Sequence, residues 1–552
     1  MRLLSSVPAV ATAVTVPRPD AGLRLRSGPA LICALAGGLA LAAAFPPAGI
    51  WPLAVVGPAA LTVALWRQRA RLAVAAGAAF GVAFFFPLLS WLVNVAWYAW
   101  TALAVAETLI FAVLVLGQWL LLRLRAWPLA VAGWWVAAEA VRDRWPWEGF
   151  PWGRLVMSQA TAPAGRWVAV AGPPFVTFLV ALAAACLAWV VLGPARRQEH
   201  QVREQSDAGQ ALGLRSRLWP AIALAASAGL ALAGALLPAG QPAAPGQTAI
   251  VAAIQGNVPH AKNLPDLLRA SQVTQNHANA TEKLAARVKS GAVPAPDIVI
   301  WPENSTDQDP AFNPYIYGTI AAAVGAINRP VLVGAVLQDP VRNAGQLWLP
   351  GKGPVATYVK RRLVPFGEVI PFRGLISSMT SLPSTIQPVN FTPGHRPVVF
   401  RAGKVRLGDV ICYEVGFDGL VGSEVSAGAN LLAVQTNDAD FEIDGQMGET
   451  EQQLDMARIR AMQYNRAVVV ASTTGISAII APDGSLLAST RTWTQAEIEA
   501  KVPLLTSQTL AARLGGWPEA ILVWATVAAL AWAIAQAIRG HRKRTAAARA
   551  SQ

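Results

Sequence analysis

Apolar and polar positions divide this chain into three stretches. Long apolar runs follow one another at roughly 29–47, 49–66, 72–92, 99–122, 127–143, 167–192 and 219–238. Each comes near the ~20 residues that an apolar helix needs to cross a bilayer. Between about 240 and 515 the runs shorten and polar residues fill the gaps, and one more long run follows at roughly 517–538. The pattern predicts a polytopic α-helical membrane bundle of about eight transmembrane helices, with one large polar domain set before the last of them. The expected division is a tail at 1–28, helices one to seven within 29–246, the polar domain at 247–512, an eighth helix within 513–538 and a basic tail at 539–552. The fifth run carries Glu139 and ends in Arg142-Asp143-Arg144, so its charges have to face the bundle or a polar cavity.

Within the polar domain, short apolar runs alternate with helical patterns. Thr248 to Ile254 reads as a strand closed by a turn at Gln255-Gly256-Asn257, and Leu264 to Val288 has helical spacing. Asp297 to Trp301, Pro330 to Leu337 and Leu431 to Gln435 read as further strands. Glu449 to Tyr464 reads as a helix, and Ala467–Ser472 with Ile476–Ala481 as paired strands before the turn Pro482-Asp483-Gly484. Such alternation implies an α/β layered fold. No internal repeat is visible.

Composition and charge sharpen this picture. Of 552 residues 54% are hydrophobic and 14% charged, against about 25% charged in average soluble domains. The net charge of +14 fits arginine-rich cytoplasmic loops rather than nucleic-acid binding. Arg67, Arg69 and Arg71 lie in the second loop, Arg123 and Arg125 in the fourth, and Arg196, Arg197, Arg203, Arg215 and Arg217 in the sixth. Arg539, Arg542, Lys543 and Arg544 lie in the tail. By the positive-inside rule both termini are expected in the cytoplasm and the polar domain on the outer side. Leu3 to Val16 imitates a signal peptide weakly, and an uncleaved tail is the expectation. The fifth loop breaks the trend with Arg142, Arg144, Arg154 and Arg166 among Trp145, Trp147, Trp152 and Trp167, which suggests interfacial anchors or contacts to lipid headgroups. Scattered histidines and the lack of a C-x-x-C pair at Cys412 give no sign of a metal site, and no glycine-rich phosphate loop is present.

The candidate chemistry gathers at strand ends. Cys412 follows Gly408-Asp409-Val410-Ile411, and the other two cysteines, Cys33 and Cys186, lie in apolar runs. A thiol held at a strand end is a candidate nucleophile. Glu303 follows Asp297-Ile298-Val299-Ile300-Trp301-Pro302, and Lys360 precedes Pro365-Phe366-Gly367-Glu368. A carboxylate, an ammonium and a thiol suit acyl transfer: the thiolate attacks a carbonyl, the carboxylate moves the proton, and the lysine stabilises the oxyanion and lowers the thiol pKa. Singly each group has another use. Cys412 reads as a buried structural thiol, Glu303 as the cap of a helix near Asn304, and Lys360 as part of a solvated basic run with Arg361 and Arg362. Glu368 reads as a partner for those arginines, and Asp409 as a turn residue.

Taken together, Trp301-Pro302-Glu303, then Lys360 through Pro365-Phe366-Gly367-Glu368-Val369-Ile370-Pro371, then Cys412-Tyr413-Glu414 resemble the Glu-Lys-Cys motifs of the nitrilase superfamily. With membrane spans on both sides, the chain from about residue 29 to 538 resembles the apolipoprotein N-acyltransferases of bacterial envelopes. Gln255-Gly256-Asn257, Asn437-Asp438 and Met456-Ala457-Arg458-Ile459-Arg460-Ala461 agree with that resemblance. It implies an αββα sandwich over the outer face of the inner membrane, with Cys412 as nucleophile, Glu303 as general base and Lys360 as oxyanion partner. It further implies Glu368 as a second essential glutamate, with Tyr413 and Glu414 needed beside the nucleophile. The implied donor is a phospholipid, typically phosphatidylethanolamine, and the implied acceptor is the α-amino group of a diacylglyceryl-cysteine that begins a lipoprotein. No cofactor and no nucleic acid are implied. Ping-pong kinetics through a thioester are expected, and Leu375 to Met379 and Ile386 to Phe391 are candidate lids over it. The chain departs from the family at Asn263-Leu264, where a lysine–tryptophan pair is usual, and at Ala439-Asp440-Phe441, where a tryptophan is usual. A membrane-tethered amidase with the same triad is the alternative enzyme. A lipid-binding scaffold and a transporter are further readings, which the retained triad and the unpaired span pattern disfavour.

Overall fold

The computed structural model describes residues 24–201, 209–238, 247–259, 266–379, 381, 387–441 and 448–550. The expectations for the N-terminal tail before residue 24, for Asn263-Leu264 and for Ile386 lie outside the described residues. Every long apolar run forms a helix: α1 (Ser27–Ala42), α2 (Leu53–Leu65), α3 (Ala70–Leu88), α4 (Trp97–Leu121), α5 (Trp127–Arg142), α6 (Val168–Gln201), α7 (Gly209–Leu232) and the last helix, Trp517–Ala550. The count of about eight spans is not met on length. Among the described residues, five helical stretches are long and apolar enough to cross a membrane: Ala70–Leu88, Trp97–Leu121, Pro163–Gly193, Leu218–Leu236 and Trp517–Arg542. The helices α1 and α5 have 16 residues and α2 has 13, a rise of about 20–24 Å at 1.5 Å per residue against a core of about 30 Å. Prolines account for part of the shortening. Pro46, Pro47 and Pro52 interrupt the run between α1 and α2, because a proline ring removes a helical donor and clashes with the preceding turn.

The polar domain is built on two six-stranded sheets. The first has the order β12-β1-β2-β3-β4-β5, from β1 (Thr248–Gln255), β2 (Ile298–Ile300), β3 (Val331–Leu337), β4 (Arg342–Leu349), β5 (Gly353–Val359) and β12 (Ala496–Pro503). The second has the order β11-β10-β9-β8-β7-β6, from β6 (Val399–Ala402), β7 (Val405–Ile411), β8 (Leu431–Thr436), β9 (Ala467–Ser472), β10 (Ala478–Ile480) and β11 (Leu486–Ser489). The central strands β1-β2-β3 and β7-β8-β9 are parallel and nearly all buried. Both of their faces are covered, which is why their sequences read as unbroken apolar runs rather than as alternation.

Three apolar cores separate the layers. Val251, Ala253, Ile298, Ile300, Leu407, Ile411, Ala433 and Val469 fill the space between the sheets. The alternate positions Ala252, Ile254 and Val299 face α8 (Asp266–Lys289) and α9 (Pro314–Ile327). On the second sheet, Val410, Leu432, Val434, Val468 and Val470 face the helices Asp418–Ser426 and Gly448–Tyr464. That last core runs on without interruption into the bundle, through Leu155, Val156, Trp152 and Phe84. The layers are therefore the expected αββα sandwich, and its second helical layer also packs against the membrane helices.

Candidate active site

The strand ends converge as the sequence pattern requires. Each of β2, β5 and β7 delivers one group. Glu303 is the third residue after β2, Lys360 is the first residue after β5, and Cys412 is the first residue after β7. Gly334 makes room for the first of these, since a Cβ there would stand 2.1 Å from the Pro302 carbonyl oxygen and 2.7 Å from the Glu303 Cα. Cys412 opens the 3₁₀ turn Cys412–Gly416 with φ of 50°. A non-glycine residue in this region carries local strain, which the surrounding structure must hold in place.

The Lys360 ammonium is the hub. It donates to Glu303 Oε1 at 2.9 Å and to Glu368 Oε1 at 3.0 Å. Asn343 on β4 donates through Nδ2 to the same two oxygens, at 2.7 Å each. The outer oxygens are held by backbone: Glu303 Oε2 accepts from the Asn437 N–H at 3.0 Å, and Glu368 Oε2 from the Val364 N–H at 2.8 Å. Lys360 is 1% exposed and Glu303 4%, so Lys360 does not belong to a solvated basic face. Glu303 does not cap a helix either, because no helix begins at Asn304. Glu368 pairs with Lys360 rather than with Arg361 or Arg362, whose ion pairs go to Glu424 and Glu148.

Electrostatics follow from this crowding. Burial pushes the Glu303 carboxyl above its ordinary value. Lys360 pulls it down and Glu368 pushes it up again. Burial alone would lower the Lys360 pKa, but Glu303, Glu368 and Cys412 hold it well above the usual lysine range. Burial and then Glu303 raise the Cys412 thiol well above its ordinary value, and Lys360 does not offset them. Lys360 lowers the thiol pKa, as expected, but burial and Glu303 outweigh it. A thiol raised in this way needs a base to take its proton before it can attack.

The remaining predicted residues take structural places around the nucleophile. Glu414 is fully buried and accepts from the N–H groups of Ile411, Arg361 and Arg362 at 2.8, 2.6 and 3.0 Å, and from the Tyr358 hydroxyl. It ties the end of β7 to the end of β5, and so ties Cys412 to Lys360. Tyr413 points away from the triad. Its hydroxyl donates to the Gly149 carbonyl at 2.6 Å and its ring stacks on Trp152 at 5.5 Å. Asp409 is no turn residue: it is fully buried between the sheets, where a Cβ on Gly345 would stand 2.0 Å from its Oδ2.

Three residues were not singled out from the sequence. Asn343 bridges both glutamates. Gln453, on the helix Gly448–Tyr464, places Nε2 3.6 Å from Cys412 Sγ and donates to Glu449 Oε1 at 3.3 Å. No local signal marks them, because the tertiary fold alone brings them to the site. The interfacial-anchor reading of the fifth loop needs correction for three of its residues, while Arg144, Trp145 and Trp147 are exposed. Arg142, Arg154 and Trp152 are buried. Arg142 pairs with Glu107 at 2.6 Å, and Arg154 with Asp418 at 3.0 Å and Asp143 at 3.2 Å. Among the described residues, no group of three or more His, Cys, Asp or Glu side chains is placed to hold a metal ion.

Two family models and many relatives match this chain. Residues 37–186 match the apolipoprotein N-acyltransferase N-terminal domain, and residues 250–512 match the carbon-nitrogen hydrolase family. An apolipoprotein N-acyltransferase of Mycolicibacterium smegmatis is 36% identical, over 91% of this chain and 85% of the relative. Another, from Azotobacter vinelandii, is 29% identical over 92% and 95%. A crystal structure of an amidase from Nesterenkonia sp. aligns at 15% identity with a TM-score of 0.35, covering 48% of this chain and 93% of the amidase. On the family matches and the extent of the identity, the chain belongs to the apolipoprotein N-acyltransferase family.

Proposed function

We propose that this protein transfers an acyl chain from a phospholipid, through a thioester on Cys412, to the α-amino group of the diacylglyceryl-cysteine at the start of a lipoprotein. The observation that carries the reading is the buried group of Glu303, Lys360 and Cys412 in a sandwich whose core continues into the membrane bundle. Substrates that carry acyl chains leave a bilayer only at about 0.8 kcal/mol per buried CH₂, so the catalytic centre has to stand at the membrane.

In the first step Glu303 takes the Cys412 proton as Sγ attacks the ester carbonyl. The Lys360 ammonium faces the negative charge that develops on the carbonyl oxygen. The ester C–O bond then breaks, and the Glu303 proton passes to the departing lysophospholipid oxygen. In the second step the lipoprotein amine attacks the thioester carbonyl, Glu303 accepts the amine proton, and the C–S bond breaks. That proton returns to sulfur. Glu368 serves by sharing the lysine's charge, so that Lys360 stays protonated while Glu303 cycles. Glu414 and Tyr413 position the nucleophile turn, the first against β5 and the second against the bundle.

The donor in this reading is phosphatidylethanolamine. The membrane is the bacterial inner membrane, with residues 247–512 on its periplasmic side and both tails in the cytoplasm. The arginines of the even loops and of the C-terminal tail support that orientation. The stretches 375–379 and 386–391 serve as lids, and the exposed Phe372 and Leu375 supply an apolar edge for that role.

The test is a trapping experiment. The purified protein is given phosphatidylethanolamine labelled in its acyl chains without any acceptor, and mass spectrometry locates the label. A thioester on Cys412 is expected, absent in Cys412→Ala and discharged by a diacylated lipopeptide. Folded protein that forms no adduct with any phospholipid but hydrolyses small amides would turn the assignment to a membrane-tethered amidase.

A further inference from the structure

A polar cleft of about 250 Å³ opens beside the triad. Its charged and polar lining includes Arg269 from α8, Asn304 and Asp307 from the loop after β2, Asn437 and Asp440 from the loop after β8, and Thr473. Two of these connect it directly to the chemistry. Asn304 is the neighbour of Glu303, and the Asn437 N–H is the donor to Glu303 Oε2. At the other side Asp440 adjoins Phe441. The Phe441 carbonyl accepts from Asn94 Nδ2 at 2.7 Å, and its ring meets Trp91 edge-on at 5.2 Å. Asn94 lies in the turn just before α4, whose first residues Trp97 and Tyr98 are exposed. The cleft thus reaches from the neighbours of Glu303 to Asp440, whose chain neighbour Phe441 meets the membrane bundle.

Its charges are of both signs and are not spent on each other. Asp307 stands within electrostatic reach of Asp440, Arg269 and Glu303. Arg269 and Asp440 are exposed, and neither makes a hydrogen bond or ion pair with another described residue. A cleft that holds a guanidinium and two carboxylates apart presents separate places for an anion and for a cation. A lining this polar suits a headgroup and not an acyl chain.

We infer that this cleft binds the zwitterionic headgroup of the acyl donor, with Arg269 toward the phosphate and Asp307 and Asp440 toward a primary ammonium. The inference rests on the acyltransferase reading and deepens it by assigning the donor's selectivity to named residues. Guanidinium and phosphate form strong charge-assisted hydrogen bonds, and a primary ammonium offers three donors to carboxylates. A trimethylammonium offers none and an uncharged glycerol headgroup has no charge to pair, so the site discriminates by ammonium chemistry and not merely by net charge.

The experiment measures the initial rate of thioester formation in the full-length protein, with phosphatidylethanolamine, phosphatidylglycerol and phosphatidylcholine of identical acyl chains. The wild type is expected to prefer phosphatidylethanolamine. Asp440→Asn and the double variant Asp307→Asn/Asp440→Asn are expected to cut that preference over phosphatidylglycerol by about tenfold or more. Arg269→Gln is expected to slow all three donors by a similar factor, since all share the phosphate. Discharge of a preformed thioester by lipopeptide should stay unchanged in every variant. Preference retained in the double variant overturns the inference. So does normal thioester formation with slowed discharge, which would give the cleft to the acceptor amine. A wild type that forms no thioester with any phospholipid would sink the acyltransferase reading itself, a different outcome from either.

Discussion

Two buried ion clusters flank the Cys412 turn, and they are built from different cations. On the sandwich side one lysine is shared by Glu303 and Glu368, with Asn343 bridging the same oxygens. On the bundle side the cations are arginines. Arg460 donates to the carbonyls of Val415 and Gly416 at 2.8 Å each and pairs with Asp418 at 2.6 Å. Asp418 also pairs with Arg154, which stands 3.2 Å from Asp143 and 3.8 Å from Glu139. Lysine is a compact point charge whose protonation responds to its surroundings. Arginine keeps its charge and spreads donors in a fixed fork. The lysine cluster holds two carboxylates on one ammonium, so a proton can be taken up and returned without a large change of geometry. The arginine cluster grips main-chain carbonyls of the very turn that begins with Cys412 and fastens it to the membrane helices. In the proposed mechanism one cluster moves a proton, and the other keeps the sulfur where the proton is needed.

The comparison breaks most visibly at its hubs. Lys360→Met removes the oxyanion partner and leaves Glu303 and Glu368 facing each other without a counter-charge. Single-turnover thioester formation should fall by about 10²–10³-fold or more, and Lys360→Arg should not restore it because a planar fork cannot replace the point charge. Near-normal acylation in Lys360→Met would remove the lysine from the chemistry. Arg154→Ala should act in the opposite way. Breaking a buried pair by removing one partner costs about 3–5 kcal/mol, so thermal or denaturant unfolding should shift strongly. The folded fraction should nevertheless keep the wild-type dependence of acylation on pH. A changed pH dependence in Arg154→Ala would mean that the two clusters are not separate in function.

A smaller effect sharpens the lysine side. Glu303 must be ionised to accept the thiol proton, and burial raises its pKa above 4.5. Acylation should therefore decline as pH falls through that raised value, with the acidic limb of the rate profile lying above pH 4.5. The Asn343 amide donates to the Glu303 carboxylate and so favours its charged form. Asn343→Ala withdraws that support, and the limb should move to still higher pH. The measurement is single-turnover thioester formation across pH, and a limb that stays put or moves down would contradict the bridging role.

Much of the chemistry was legible in the sequence because parallel strands write it locally. An apolar run that ends in Glu303 or Cys412 needs no knowledge of its neighbours, and Lys360 with Glu368 lies within one short motif. Asn343 is different. It matters because β4 pairs with β5 in a register that sets Ala344 opposite Val359, so that the Lys360 N–H donates to the Asn343 carbonyl at 2.9 Å. Register is a long-range property, and Arg342-Asn343-Ala344 carries no turn or motif to betray it. The partnership of Arg154 with Asp418 spans 264 residues and was equally hidden. The sandwich was foreseen through the family resemblance and the α/β alternation. The lengths of α1 and α2 were not, because prolines and helix ends set them within runs that are apolar throughout.

The smallest effect tests whether burial is the right divider. Arg142, Arg144, Arg154 and Arg166 look alike in sequence, a basic loop among tryptophans. The structure separates them: the Arg154 side chain is 3% exposed, whereas that of Arg144 is 62% exposed and pairs with Glu519 at the start of the last helix. A pair so open to solvent is screened by water and salt and loses side-chain entropy on forming, which leaves it worth about 0–1 kcal/mol. Arg144→Ala should therefore barely move the unfolding transition and should leave acylation as it was, ten positions from a substitution that costs several times more. Equal destabilisation by the two would mean that the seam between bundle and sandwich is held by the charge of the whole loop. The observed split predicts instead that only the arginines closed off from water carry it.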